Sequence, residues 1–131
     1  MKVLMINGSP HENGNTYISL KEIEKVFSEN GIESEIINIG KDQIRGCIAC
    51  GSCSKTGKCI FDDKVNQAAD KLKSADGLIV ATPVYYASPN GTLLSFLDRL
   101  FMSSKYDKRM KIGASVAVAR RGGTTATFDV L

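Results

Sequence analysis

Two hydropathy periods alternate along this chain, and that alternation is what most constrains its fold. Residues 3–6 form a continuous apolar run closed by Asn7-Gly8, the pattern of a strand buried on both faces. From Thr16 the period changes: Tyr17, Leu20, Ile23 and Phe27 recur at helical spacing among charged residues, and Asn30-Gly31 supplies a stop. The alternation then repeats. Residues 35–39 read as a second strand, and Asp62-Asp63 opens a helix marked by Val65, Ala68, Ala69 and Leu72. Residues 77–82 read as a third strand, a helix with Leu93, Leu94, Phe96, Leu97, Leu100 and Phe101 runs to about Tyr106, and residues 112–119 form a fourth strand. Strands alternating with helices predict an α/β fold: an open parallel sheet with right-handed crossovers, order 2-1-3-4, and helices on both faces.

The 131 residues suit one domain, with no linker, repeat or low-complexity segment. At 43% hydrophobic and 24% charged, the composition is that of an ordinary globular protein. Seventeen basic residues are interspersed with 14 acidic ones, for a net charge of +3, which gives little support to nucleic-acid or membrane binding. The N-terminal apolar run falls short of the roughly 7 to 15 residues of a signal peptide, and no run approaches the roughly 18 of a membrane span. A cytoplasmic location is the expectation.

Glycine, proline and asparagine crowd the stretch GSPHENGNTY, residues 8–17, between the first strand and its helix. A loop at that place brings backbone N–H groups and a helix N-terminus to one point, and Ser9, Asn15 and Thr16 add side-chain donors suited to a phosphate. The sequence lacks GxGxxG and the GK[ST] ending, so a monoester phosphate fits better than a dinucleotide or a nucleoside triphosphate. A plain strand-to-helix connection with Asn15 as N-cap fits the loop equally well. The loops after the third strand (residues 82–91) and the fourth (120–125) leave the same end of the sheet, where ligands of open α/β folds bind. Tyr85 and Tyr86 offer flat faces there, although such a pair also serves ordinary packing. A planar ring with a phosphate tail, flavin mononucleotide, suits the three loops. Asp98-Arg99 reads as a surface or structural ion pair. No side chain is assigned a catalytic acid or base role, and His11, the single histidine, lies in the first loop.

All four cysteines lie in CIACGSCSKTGKC, as Cys47-x2-Cys50-x2-Cys53-x5-Cys59. Short steps between thiolates wrap a compact cluster as in ferredoxin runs, whereas zinc usually takes two CxxC pairs set further apart. The spacing places a 4Fe-4S cluster first, with free thiols or disulfides, and then zinc, behind it. Leaving the carboxyl end of the second strand, the segment is expected to share a rim of the sheet with the flavin unless it folds away.

Taken together, GSPHENGNT, GCIACGSCSKTGKC followed by DD, ATPVYYASPNGTLLSFLDR and ARRGG resemble the flavodoxin-like NADPH-dependent FMN reductase superfamily, specifically its iron-sulfur flavoprotein branch. The resemblance implies phosphate contacts from Ser9, Asn15 and Thr16, and ribityl or ring contacts from Pro83, Val84, Tyr85, Tyr86 and Ser88. Arg121, Gly122 and Gly123 would border the isoalloxazine, and Cys47, Cys50, Cys53 and Cys59 would hold the cluster. It further implies a ferredoxin-like or other redox partner, NAD(P)H in the broader family, and a homo-oligomer. Members continue through a fifth strand and a last helix that these residues do not supply, so the chain is expected to be C-terminally incomplete. Two other readings stand beside this one: an NAD(P)H-dependent quinone or FMN reductase without a cluster, and a zinc-stabilised, non-enzymatic scaffold.

Overall fold

The computed structural model describes residues 1–131. Strand β1 (Lys2–Asn7) lies between β2 (Glu33–Asn38) and β3 (Gly77–Tyr85), parallel to both, with Lys2 opposite Glu33 and Val3 opposite Gly77. On the far side of β3 runs β5 (Ile112–Val118), also parallel, with Gly77 opposite Ile112. The four parallel strands therefore follow the expected order. A two-residue strand, β4 (Ser88–Pro89), pairs antiparallel with the end of β3, so the expected loop over residues 82–91 is partly a hairpin.

Alternation along β1 and β3 divides the core between the two faces of the sheet. Leu4, Ile6 and Val80 pack with Val65, Ala68 and Leu72 of α3 (Lys64–Ser74) and with Leu93, Phe96, Leu97 and Leu100 of α4 (Gly91–Ser103). Val3, Met5, Ile79 and Ala81 pack on the other face against Leu20, Ile23 and Phe27 of α1 (Asn15–Glu29). Each fully buried Leu, Ile or Phe contributes about 2 kcal/mol, which is why both central strands tolerate almost no polar residue before their carboxyl ends.

Helix ends follow local chemistry. Asp63 caps α3, its side chain accepting from the Val65 N–H at 3.0 Å, and Asn90 caps α4, accepting from Thr92 at 2.7 Å. Helix α4 stops at Ser103 rather than near Tyr106, where Ser103 and Ser104 turn their hydroxyls back to the carbonyls of Arg99 and Leu100. Two short helices complete the chain: α2 (Ser52–Thr56), inside the cysteine segment, and α5 (Thr124–Val130). The outer edge of β5 pairs with no further strand, and Ile112 there is 63% exposed. No helix is long and apolar enough to cross a membrane.

Candidate functional site

The chain passes from β1 to β2 on one side and then crosses to β3 on the other, so the winding reverses between β1 and β3. Their carboxyl ends form the crevice in which open α/β sheets bind ligands. Buried polar residues of the two central strands, Asn7 and Thr82, lie here. Asn7 is fully buried; its Nδ2 donates to Asn38 Oδ1 at 2.8 Å, and its Oδ1 accepts from the Ser9 N–H at 3.0 Å. The Gly8 N–H donates to Ala81 O at 2.8 Å, tying the first loop to β3. Ser9 of this loop and Thr16 in the first turn of α1 are buried, while His11 and Asn15 are exposed.

Helix α1 begins at Asn15 after Gly14, which has no side chain to cap it, and its first turn holds no acidic residue. Fifteen aligned peptide groups thus present positive charge at an end that no carboxylate neutralises, with the Ser9 hydroxyl close to Gly14. Asn15 is the first helical residue, not the N-cap. Gly40, at the end of β2, makes room for the loop: a Cβ there would lie 2.1 Å from the carbonyl carbon and oxygen of Ser9.

The second and third loops touch. Tyr86 and Ala87 sit at φ 50° and 57°, forming the two-residue turn between β3 and β4, in a conformation that costs most residues about 1 kcal/mol or more. The turn leaves Tyr86 wholly exposed and Tyr85 at 45%. Below it, Thr82 is buried and its hydroxyl accepts from the Asn90 N–H at 2.9 Å. Gly123, at φ 95°, packs so closely that a Cβ would fall 2.8 Å from Ala87 Cα. Pro83, Val84 and Ser88 are half-buried around this contact, and Arg121 and Gly122 are exposed beside it.

The cysteine segment departs from the rim. Cys47, Cys50, Cys53 and Cys59 are all free thiols and line one cavity of about 210 Å³, closed by Phe61 and by Arg99, Met102 and Ser103 of α4. Those helical residues lie eight to twelve positions beyond Gly91, roughly 12 to 18 Å along the axis. The segment therefore folds along α4 instead of sharing the rim with the first loop. Gly51 and Gly57, both at φ 71°, bound α2, which carries Cys53. Residues 45–50 form no backbone–backbone hydrogen bond; the Ala49 N–H donates to Cys47 Sγ at 3.4 Å. Cys53 Sγ donates to Met102 O at 3.7 Å, and the side chain of Asn66 grips the backbone N–H and carbonyl of Cys59 at 2.9 and 3.0 Å. No three acidic, histidine or cysteine side chains approach closely enough to hold one metal ion. A cluster needs less convergence than a single ion, because each thiolate binds a different iron.

Arg99, fully buried, joins this segment to the helices. Its Nη1 donates to Asp63 Oδ2 at 2.7 Å and its Nη2 to Asp63 Oδ1 at 3.0 Å, while Nε donates to Cys59 Sγ at 3.2 Å. Burial opposes its charge, but the bonds to Asp63 and Cys59 outweigh burial and hold the guanidinium above its ordinary pKa. Its partner is thus Asp63, not the adjacent Asp98, which is exposed.

The sequence profile of NADPH-dependent FMN reductases matches residues 1–131. An iron-sulfur flavoprotein of Methanocaldococcus jannaschii is 37% identical over 132 residues, covering 98% of this chain and 68% of that protein. The chain belongs to the NADPH-dependent FMN reductase family, in its iron-sulfur flavoprotein branch. A solved apo NADH:FMN oxidoreductase (EMOB) superposes with a TM-score of 0.69 at 26% identity, over 98% of this chain and 63% of that one. An archaeal flavodoxin superposes with a TM-score of 0.62 at 18% identity, over 99% and 75%, which establishes the flavodoxin-like fold. The chain therefore spans about two thirds of the length of the iron-sulfur flavoprotein and of the NADH:FMN oxidoreductase.

Within this member of the FMN reductase family, sequence reasoning missed Gly40, Asn66 and the role of Arg99. One signal for Arg99 was available: it stands three residues after Phe96 and four before Ser103, on the stripe that α4 buries. For Gly40 and Asn66 the partners are remote in sequence, and no local pattern points to them.

Proposed function

We propose that this chain is an FMN-dependent oxidoreductase whose cysteine segment holds a 4Fe-4S cluster, so that electrons pass between a flavin and a one-electron partner. Four free cysteines lining one cavity, on a fold of the FMN reductase family, are the observation that carries this reading. The flavin supplies the exchange between two-electron and one-electron chemistry.

The chain's own residues bind and orient. Ser9, Asn15, Thr16 and the uncapped start of α1 meet a phosphate, and buried Asn7, held by Asn38, keeps the Ser9 N–H engaged so that the loop holds one shape. Pro83, Val84, Tyr85, Tyr86 and Ser88 supply ribityl or ring contacts and Arg121, Gly122 and Gly123 border the isoalloxazine, the two loops held together by the Gly123–Ala87 contact. Cys47, Cys50, Cys53 and Cys59 are the cluster ligands, their short x2-x2-x5 spacing being that of ferredoxin runs more than of the paired CxxC of structural zinc. Displacement of the cavity from the rim favours transfer between subunits of a homo-oligomer. Exposed Arg45, Lys55 and Lys58 favour an acidic, ferredoxin-like donor.

The same displacement also suits a second reading, in which NAD(P)H reduces the flavin directly and the cysteines take no part. An anaerobic visible spectrum, with flavin, iron and acid-labile sulfide quantified on one sample, separates the two. Flavin with iron and sulfide supports the first reading. Flavin alone after anaerobic reconstitution, bleached by NADPH, replaces it with the second.

A further inference from the structure

Arg99 is the largest fully buried side chain in the protein, and every one of its N–H groups has an acceptor. Nη1 donates to Asp63 and to Arg45 O (3.3 Å), Nη2 to Asp63 and to Phe61 O (3.2 Å), and Nε to Cys59 Sγ. The Phe61 ring lies 5.0 Å from its Cζ, stacked against the guanidinium on one side. Five bonds and a stacked ring over-determine the orientation of a planar, permanently charged group. An arginine serving only to bind the loop would be satisfied by Asp63 and the two carbonyls. Here the remaining N–H is aimed at a cysteine sulfur on the wall of the four-cysteine cavity.

We propose that Arg99 is a positioning residue for the metal centre: it fixes Cys59 toward the cavity and, through Nε–H, makes the centre easier to reduce. This rests on the cluster reading above. An electron added to a thiolate-bound cluster increases negative charge on its sulfurs, and a hydrogen bond from a buried cation stabilises that state more than the oxidised one. No bond is made or broken; one electron enters from an external low-potential reductant, and the equilibrium shifts toward the reduced form. Lysine at this position would keep a charge beside Asp63 but lose the planar fork, and with it the directed bond to sulfur.

The test uses the full chain as wild type, Arg99→Lys and Arg99→Gln, each reconstituted anaerobically with iron and sulfide. Iron and sulfide per chain, the midpoint potential from an electron-paramagnetic-resonance titration, and the far-ultraviolet circular dichroism are measured together. Both variants are expected to retain the fold and to show a lower midpoint. In Arg99→Gln the couple shifts at least tenfold, or 59 mV for one electron. Wild-type iron content with an unchanged midpoint in both variants overturns the proposal, because a merely structural arginine leaves the potential where it was. If Arg99→Gln does not fold, Arg99→Lys decides by the same criterion. If both fold but lose iron, the positioning role stands and the effect on potential is withdrawn. A wild type that takes up FMN but no iron or sulfide defeats the cluster reading itself, visibly and before any variant is compared.

Discussion

Asp63 and Arg99, 36 residues apart, meet in a two-point ion pair whose guanidinium is fully buried and whose carboxylate also caps α3. One side chain thereby fixes the end of the cysteine segment, the start of α3 and the middle of α4. Asp63→Ala strands a buried cation and removes a cap. We expect a loss of about 3 kcal/mol in urea-induced unfolding, more than either a surface pair or a cap alone would cost.

Gly40 has no room for a side chain, since a Cβ would overlap Ser9 and lie 2.4 Å from Pro10 N. Gly40→Ala is therefore expected to push the first loop away from β2, costing about 2 to 3 kcal/mol. FMN affinity, followed by flavin fluorescence, should fall at least tenfold, whereas Gly113→Ala, whose added Cβ meets nothing, should leave binding unchanged.

The rim loops and the cysteine segment are separate in space, so FMN binding and iron uptake are expected to be separable by mutation. Cys53→Ala is expected to abolish iron and sulfide uptake with FMN affinity intact. Ser9→Ala should weaken FMN about tenfold, the worth of one hydrogen bond to a charged group, and leave iron content alone. Unchanged iron in Cys53→Ala would remove that residue from the ligand set.

Tyr106 packs against the α3–α4 core with its hydroxyl buried and without a hydrogen-bond partner. Burial raises its pKa above the usual 10.0. Because the phenol ionises more readily in the unfolded chain, its contribution is intact below pH 10 and is lost as pH rises through the folded value. Tyr106→Phe is expected to be neutral or about 1 kcal/mol more stable at pH 8 and to flatten the loss of melting temperature between pH 9 and 11.

Much of this architecture was legible in the sequence because β1 and β3 are buried on both faces and so read as unbroken apolar runs. The three rim loops were legible for a related reason: turn residues accumulate where a parallel strand must enter a helix. The β4 hairpin was hidden, since Tyr86-Ala87 occupies a turn that ordinarily takes asparagine or glycine. Arg99 was misread because its sequence neighbour Asp98 carries the right charge, yet adjacent helical residues point to different sides. The retreat of the cysteine segment from the rim depends on α4 contacts at Arg99 and Met102 that no spacing of cysteines encodes.

Residues 45–50 hold no backbone–backbone hydrogen bond, and α2 is only five residues long, so little besides side-chain ties keeps this segment closed. Local opening there costs far less than unfolding the sheet. Amides of α2 should thus exchange with deuterium orders of magnitude faster than those of β1 under the same native conditions. The loop behaves as a hatch on a rigid hull: it can swing open and close again while the sheet beneath it stays folded.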